Sequence, residues 1–240
     1  ARFFNDLSFL LAAFFRGLFF SKPDLILSQT SPPGVWWVGF LLSRWHRSPW
    51  IHVSKDLFPG NLKALRENKN NPLLDFIDTV SGYPLRKADR ILVIGKDMEK
   101  VFLKKGLPAA QIAQTCDWVD LAFVRPLPKR NSFSEKYGLE NKFVVLYAGN
   151  FGRSHNFEDV LAAAKFFREK EDIVFVFVGE GAMKEDIVRS IRNQKLNNVV
   201  LLPFEPRSRL PEVLASADIS LVLLRKGLAG LSVPSKIYSI

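Results

Sequence analysis

Residues 143–161 read FVVLYAGNFGRSHNFEDVL. An apolar run at 143–147 gives way to a turn holding Gly149 and Gly152, and the turn to a helical pattern. Strand residues that are apolar on both faces suit a parallel sheet covered by helices on each side. Over 156–170, Phe157, Val160, Leu161, Ala164 and Phe167 recur at helical spacing, so one helix face points to a core. Asn156 stands where a helix cap belongs, with Glu158 and Asp159 in the first turn. Strand, glycine turn and helix in that order form the first part of a βα crossover unit.

Outward from this stretch the alternation repeats. Strands are expected at 24–29 (DLILSQ), 50–53, 90–94 (RILVI), 173–178 (IVFVFV), 199–202 and 219–224 (ISLVLL), with amphipathic stretches between them. The pattern predicts an α/β protein made of two Rossmann-like domains with parallel sheets. Between them VRPLPKRNS, from residue 124, concentrates proline, basic and polar side chains. Proline cannot continue a ladder or a helix interior, so an extended linker is expected at about 124–134. The expected domains are then 1–133 and 134–240. The chain opens with Ala1 and ends inside an expected helix starting near Pro234, which reads as a fold trimmed at both ends.

Composition narrows the function. With 240 residues, 48% hydrophobic and 24% charged, the chain is long and apolar enough to bury a core, which excludes disorder. Cys116 is the single cysteine, so neither an internal disulfide nor a cysteine zinc site is possible, and a reducing, cytoplasmic compartment fits. His46, His52 and His155 are too scattered to suggest a metal centre, and no metal is expected. The net charge of +10 is uneven: residues 1–133 hold 19 basic and 11 acidic side chains, residues 134–240 hold 15 and 13. An anionic partner of the first half follows. No basic stripe interleaved with aromatics and no nucleic-acid motif is visible, so nucleic acid is not expected.

The opening FFNDLSFLLAAFFRGLFF, residues 3–20, is about as long as one bilayer crossing. Asp6 and Arg16 inside it, and the lack of a cleavage signal, argue against a span or a leader. It reads as a helix packed on a sheet or, alternatively, as one lying in a membrane surface. GVWWVGFLLSRWHR, residues 34–47, adds tryptophan and arginine to the same half. Together they point to an acceptor on a polyprenyl lipid, and to a peripheral place on the inner face of the cytoplasmic membrane with its anionic surface as a further partner.

The chemistry is carried by two turns. Free amides at a helix start behind a glycine loop can hold a phosphate. The turn at 149–152 keeps only a GxxG, short of the dinucleotide fingerprint, and lacks the Lys-Ser/Thr of a P-loop. The second turn lies in RKGLAGLSVPSKIYSI, residues 225–240, where Gly227 and Gly230 make a loop and Ser235 and Lys236 follow Pro234. In a parallel sheet both loops leave the carboxyl edge, where open α/β folds bind ligands. Their amides and the Lys236 ammonium would then converge on one diphosphate.

These elements carry a resemblance. YAGNFG, FVGEG, NNVVLLPF, RLPEVLASADISLVLL and VPSKIYSI occur in that order between residues 143 and 240. The segment resembles the donor-binding half of a GT-B glycosyltransferase of the family 4 type. The first half, through DLILSQTSPP, a long apolar helix and HVSKDLFPGNL, is similar to the acceptor half of the bacterial subgroup that builds surface polysaccharides such as colanic acid. The family's first βα units and closing helices have no counterpart.

The resemblance implies transfer of a hexosyl or N-acetylhexosaminyl group from a nucleotide sugar to a glycan or polyprenyl-linked acceptor, with retention, no metal and no cofactor beyond the donor. It places Gly149, Asn150, Phe151 and Gly152 beneath the donor diphosphate, with Arg153 adding charge, and Ser235 and Lys236 on phosphate oxygens. Phe204 and Glu205 fall in the base-recognition region, and Gly179, Glu180 and Gly181 line the cleft. Across the cleft His52, Lys55 and Asp56 face the acceptor, His52 or Asp56 as general base. Two departures are visible: Ser239 stands nearest the position of a family glutamate, and Arg153 is followed by Ser154 and His155 instead of a second cation. His155 is our candidate substitute for that cation. A nucleotide-sugar epimerase of the same fold, or a non-catalytic docking module, would share most of this pattern.

Overall fold

A computed structural model describes residues 2–65 and 71–240. The chain folds as two compact units, Ala1–Asp117 with Lys226–Val233, and Trp118–Arg225 with Pro234–Ile240. The first contains α1 (Arg2–Leu18), β1 (Ile26–Gln29), α2 (Val35–His46), β2 (Trp50–Ser54), α3 (Gly60–Leu65), α4 (Pro72–Leu85), β3 (Arg90–Val93), α5 (Lys96–Lys104) and β4 (Ile112–Gln114). The second contains α6 (Ser132–Tyr137), β5 (Phe143–Ala148), α7 (Phe157–Phe166), β6 (Ile173–Val178), α8 (Lys184–Gln194), β7 (Val199–Leu202), α9 (Leu210–Ala215) and β8 (Ile219–Ser220).

In the first unit the strands run parallel in the order β1-β2-β3-β4, with Ser28 beside His52 and His52 beside Ile91. Trp50, Ile91, Val93, Met98 and Phe102 form its buried core. One polar knot sits inside it. The Ser28 hydroxyl accepts from Trp50 Nε1 at 2.8 Å, which leaves its hydrogen for His52 Nδ1 at 2.9 Å. The helix expected at the opening is present as α1 and packs on α2, where His46 Nε2 meets the Gly17 carbonyl at 2.8 Å. Its outer side leaves Phe4, Leu11 and Phe15 exposed. Among the described residues no helix is long and apolar enough to cross a membrane.

In the second unit the strands are again parallel, in the order β7-β6-β5-β8. β5 pairs with β6 at every position from Phe143↔Ile173 to Ala148↔Val178. Successive β5 side chains enter opposite layers: Val145 and Tyr147 join Phe157, Leu161 and Phe177, while Val144 and Leu146 join Phe133, Leu139 and Val213. This is the double-faced burial that an uninterrupted apolar strand requires. The chain runs outward from β5 to β6 and β7 and then returns to the other side of β5 as β8. The strand order therefore reverses between β5 and β8, which creates a crevice at their carboxyl ends.

Three local expectations change. β8 covers only Ile219–Ser220 of the expected 219–224, because after Leu221 N–H bonds the Leu146 carbonyl the backbone leaves the sheet and Arg225 N–H bonds Ser154. The helix expected from Pro234 is a single 3-10 turn, Ser235–Tyr238. Asn156 occupies the cap position of α7, but its side chain turns to the Asp159 carboxylate instead of the helix amides. β4 has three residues, too few for a periodicity to register.

His52 is 2% exposed, and burial pushes its pKa from 6.5 down to about 4. The unfolded chain takes up a proton near 6.5 that the folded chain refuses, so stability is complete above that value and falls as pH drops toward 4. The loss is about 3 kcal/mol by pH 4. Urea unfolding at pH 7 and pH 4.5 should show it, and His52→Asn, which cannot titrate, should remove that share of the pH dependence. Equal pH dependence in the two proteins would refute the assignment.

Candidate functional site

The crevice between β5 and β8 is built first from the turn after β5. Gly149 has φ +134°, a conformation that L side chains rarely adopt. Its N–H donates to the Val178 carbonyl at 2.8 Å, and the Phe151 N–H to the Glu180 carbonyl at 2.7 Å. Those two amides are spent on holding the turn. The Asn150 and Gly152 amides make no backbone hydrogen bond among the described residues, and Asn150 is the one of the two that lines the cleft. The Phe151 side chain is fully buried against Tyr147 and Phe157, so this residue anchors the turn instead of lining a surface. Gly179 and Gly181 act from beneath: a Cβ at Gly179 would stand 2.0 Å from the Gly149 carbonyl oxygen, and one at Gly181 2.6 Å from the Phe151 nitrogen.

The second side of the crevice is the 3-10 turn Ser235–Tyr238. From it the Lys236 Nζ donates to the Tyr147 hydroxyl at 3.0 Å and sits 4.5 Å above the Tyr147 ring. A Cβ at Gly149 would come within 2.5 Å of Lys236 Cε. Of the second stretch singled out in the sequence, Lys236 thus meets the Gly149 turn, whereas the expected contribution of the Gly227 and Gly230 loop is not found, because that loop belongs to the first unit, with Gly230 against Asp97. The Tyr147 hydroxyl also donates to the Asn150 carbonyl at 2.7 Å and bonds His155 Nδ1 at 2.9 Å. Burial lowers the Lys236 pKa and raises that of Tyr147. His155 is lowered too, by burial and then by the Lys236 charge, against the Asn150 backbone. Among the described residues no carboxylate pairs with Lys236.

Gly149, Asn150, Phe204, Glu205, Ser235 and Lys236 line a cleft of about 530 Å³, a size suited to a small ligand. Phe204 is exposed and open to it. Glu205 is held by the Tyr137 hydroxyl at 3.0 Å, by Lys136 at 3.3 Å and by Arg209 at 3.4 Å. Burial would raise its pKa, but the hydrogen bonds from Tyr137 and Lys136 and the charges of Lys136 and Arg209 outweigh burial and lower it. The other sequence candidates lie outside the lining. Gly152 and His155 stand behind the turn, Arg153 is exposed away from the cleft, and Gly179, Glu180 and Gly181 support it, Glu180 being paired with Lys184.

On the first unit His52 is enclosed by the sheet and its imidazole joins Ser28, so it faces no open surface. Lys55 pairs with Asp117 at 2.6 Å. Asp56 is half-buried, and its backbone bridges Ser232. Among the described residues no three His, Cys, Asp or Glu side chains gather as a metal site would. Tyr147 and Arg207 belong to the site but were not singled out in the sequence. The available signal was the hydroxyl: a tyrosine closing an otherwise aliphatic buried strand needs a polar partner.

Comparison with known proteins adds what the chain is similar to. Residues 129–233 match the model described as glycosyl transferases group 1. That segment is similar to group 1 glycosyltransferases. The chain is 27% identical over 238 residues to a probable glycosyltransferase WbjE of Pseudomonas aeruginosa, covering 95% of this chain and 59% of the relative. It is 27% identical over 159 residues to a putative colanic acid biosynthesis glycosyl transferase WcaI of Escherichia coli K12, covering 65% and 39%. The chain therefore spans about three fifths of one of these relatives and two fifths of the other. Among solved structures, Anabaena Alr3699/HepE in complex with UDP superposes with a TM-score of 0.69 at 15% identity, covering 89% of this chain and 56% of that one. The likeness shows the fold, two Rossmann-like halves of the GT-B type. The matched segment takes in the Gly149 turn and stops three residues before Lys236.

Gly149→Ala should lose about 1–3 kcal/mol of stability, because alanine is strained at this φ. The same change should force Lys236 off its seat. Denaturant unfolding and the chemical shifts of the Lys236 side chain measure the two effects. Wild-type values for both would show that the turn is not as described.

Proposed function

We propose that this chain acts as a glycosyltransferase, moving a hexosyl or N-acetylhexosaminyl group from a nucleotide-diphosphate sugar to a glycan or lipid-linked acceptor in surface-polysaccharide assembly. The observation that carries the reading is Lys236: a half-buried ammonium with no carboxylate partner among the described residues, seated against a glycine turn where the strand order reverses. Such a cation favours a ligand that brings negative charge. The HepE complexes with UDP, with UDP and glucose, and with UDP-glucose support a nucleoside diphosphate as that ligand, and the name of WcaI supports the polysaccharide setting.

In this reading the bond between the sugar anomeric carbon and the diphosphate oxygen breaks, and its electron pair leaves with the nucleoside diphosphate. Lys236 and the Asn150 amide offset the growing charge, each worth about 3 kcal/mol when well placed in a dry cleft. The acceptor hydroxyl oxygen bonds the anomeric carbon, and its proton passes to a general base. Of the two bases the family 4 resemblance implies, Asp56 remains, since it is half-buried while His52 is enclosed. A leaving group served by lysine and amides needs no metal, and retention is carried over from the family 4 resemblance. Phe204 offers a face for the base. The exposed phenylalanines of α1 support a peripheral place on a membrane that carries the acceptor lipid.

UDP should raise the thermal midpoint of the chain, and Lys236→Ala should weaken UDP binding by about 10- to 100-fold in calorimetry. Binding needs the ammonium, and burial has lowered its pKa in the free protein, so affinity should be flat below that value. Above it affinity should fall with rising pH, earlier than an ordinary lysine would dictate. A thermal midpoint unmoved by UDP, ADP and GDP would overturn the reading.

A further inference from the structure

We propose that Tyr147 is the positioning residue of this site: its hydroxyl seats the Lys236 ammonium over the Gly149 turn, with His155 and the Asn150 carbonyl fixing that hydroxyl in place. The proposal rests on the donor reading above and extends it to a residue behind the cleft wall. A tyrosine hydroxyl has one hydrogen and two lone pairs. The Asn150 carbonyl can only accept, so it takes the hydrogen at 2.7 Å. The two lone pairs then receive Lys236 Nζ at 3.0 Å and the Nδ1 hydrogen of His155 at 2.9 Å. Every hydrogen-bonding position of the oxygen is filled. The ring is fully buried and touches His155, Phe151, Phe157 and Phe177, so the hydroxyl has no other orientation to adopt.

The choice of a neutral hub has a physical consequence. A carboxylate here would cancel the lysine charge and repel a phosphate, whereas a hydroxyl and a ring face hold the ammonium and leave its charge available. The charged groups that share the surroundings are few. His155 faces Lys236 through the hydroxyl; Glu205 and Arg207 line the same cleft, Glu205 being engaged by Lys136, Tyr137 and Arg209; and Glu158 at the start of α7 is paired with Arg225. Releasing Lys236 from the hydroxyl lets it swing toward water, where its ammonium titrates as an ordinary lysine. The Asn150 carbonyl is part of the same hold, so the tether also keeps the free Asn150 amide in register with the cation.

The test uses Tyr147→Phe, which keeps the ring and removes one oxygen, alongside Lys236→Met and the double variant, with UDP as the probe. In the ligand-free chain, the titration midpoint of the Lys236 side chain, followed by its 13Cε shift, should move up in Tyr147→Phe. UDP should bind this variant about 10-fold more weakly, with the alkaline fall of affinity displaced to higher pH. In the Lys236→Met background, Tyr147→Phe should cost nothing further, since the hydroxyl acts through the lysine. A purely structural tyrosine would lower the thermal midpoint without moving the lysine titration, and would add its loss to that of Lys236→Met. Either result overturns the proposal. Failure of wild type to bind UDP, ADP or GDP is a different result, visible before any variant is made, and it overturns the donor reading itself.

Discussion

A parallel strand can be followed by its neighbour only through a crossover, so each strand of such a sheet sends its outgoing loop from the same edge. In the second unit this constraint gathers the turn after β5 and the segment beyond β8 on one edge, and the order β7-β6-β5-β8 parts their helices at the point between them. Two stretches nearly 90 residues apart in the chain therefore share one hydroxyl, that of Tyr147. The double-faced burial of β5 keeps that edge rigid, since Val144, Leu146 and Tyr147 are almost wholly enclosed.

On this scaffold the charge arrangement is economical. Lys136, Arg209, Arg225 and Lys184 are each matched by a nearby carboxylate on the second unit, while among the described residues Lys236 is matched only by a hydroxyl and a ring. The difference separates cations that hold the fold from one that is free to meet an anion. Glycines serve the same end in two ways. Gly149 supplies a backbone angle, whereas Gly179 and Gly181 supply empty space into which the neighbouring turn settles.

The first unit repeats the parallel architecture with a different interior. Its polar knot of Ser28, Trp50 and His52 is hydrogen-bonded through the Ser28 hydroxyl and enclosed, so a histidine that looks reactive in sequence serves the packing of the sheet. The segment Lys226–Val233, which follows β8 in the chain, belongs to this unit, where the Leu57 N–H bonds the Leu231 carbonyl at 2.7 Å. That membership could not be read from local pattern, because nothing in RKGLAGLSV distinguishes one unit's partner from the other's.

The amino-acid sequence by itself determined the strand and helix types, the parallel α/β class and the two glycine-bearing turns, because apolar periodicity and glycine placement act within a few residues. The three-residue β4 escaped it, since three residues carry no period, and β8 was read four residues too long, because its departure from the sheet is set by the Arg225 bond to Ser154. Only the tertiary structure decided which amides stay open, that Phe151 and Glu205 secure the walls, that His52 is sealed, and that Tyr147 holds Lys236. Those outcomes depend on groups far apart in the chain arriving within hydrogen-bond distance, and the burial and desolvation that set their charge exist only after the sheets have closed over them.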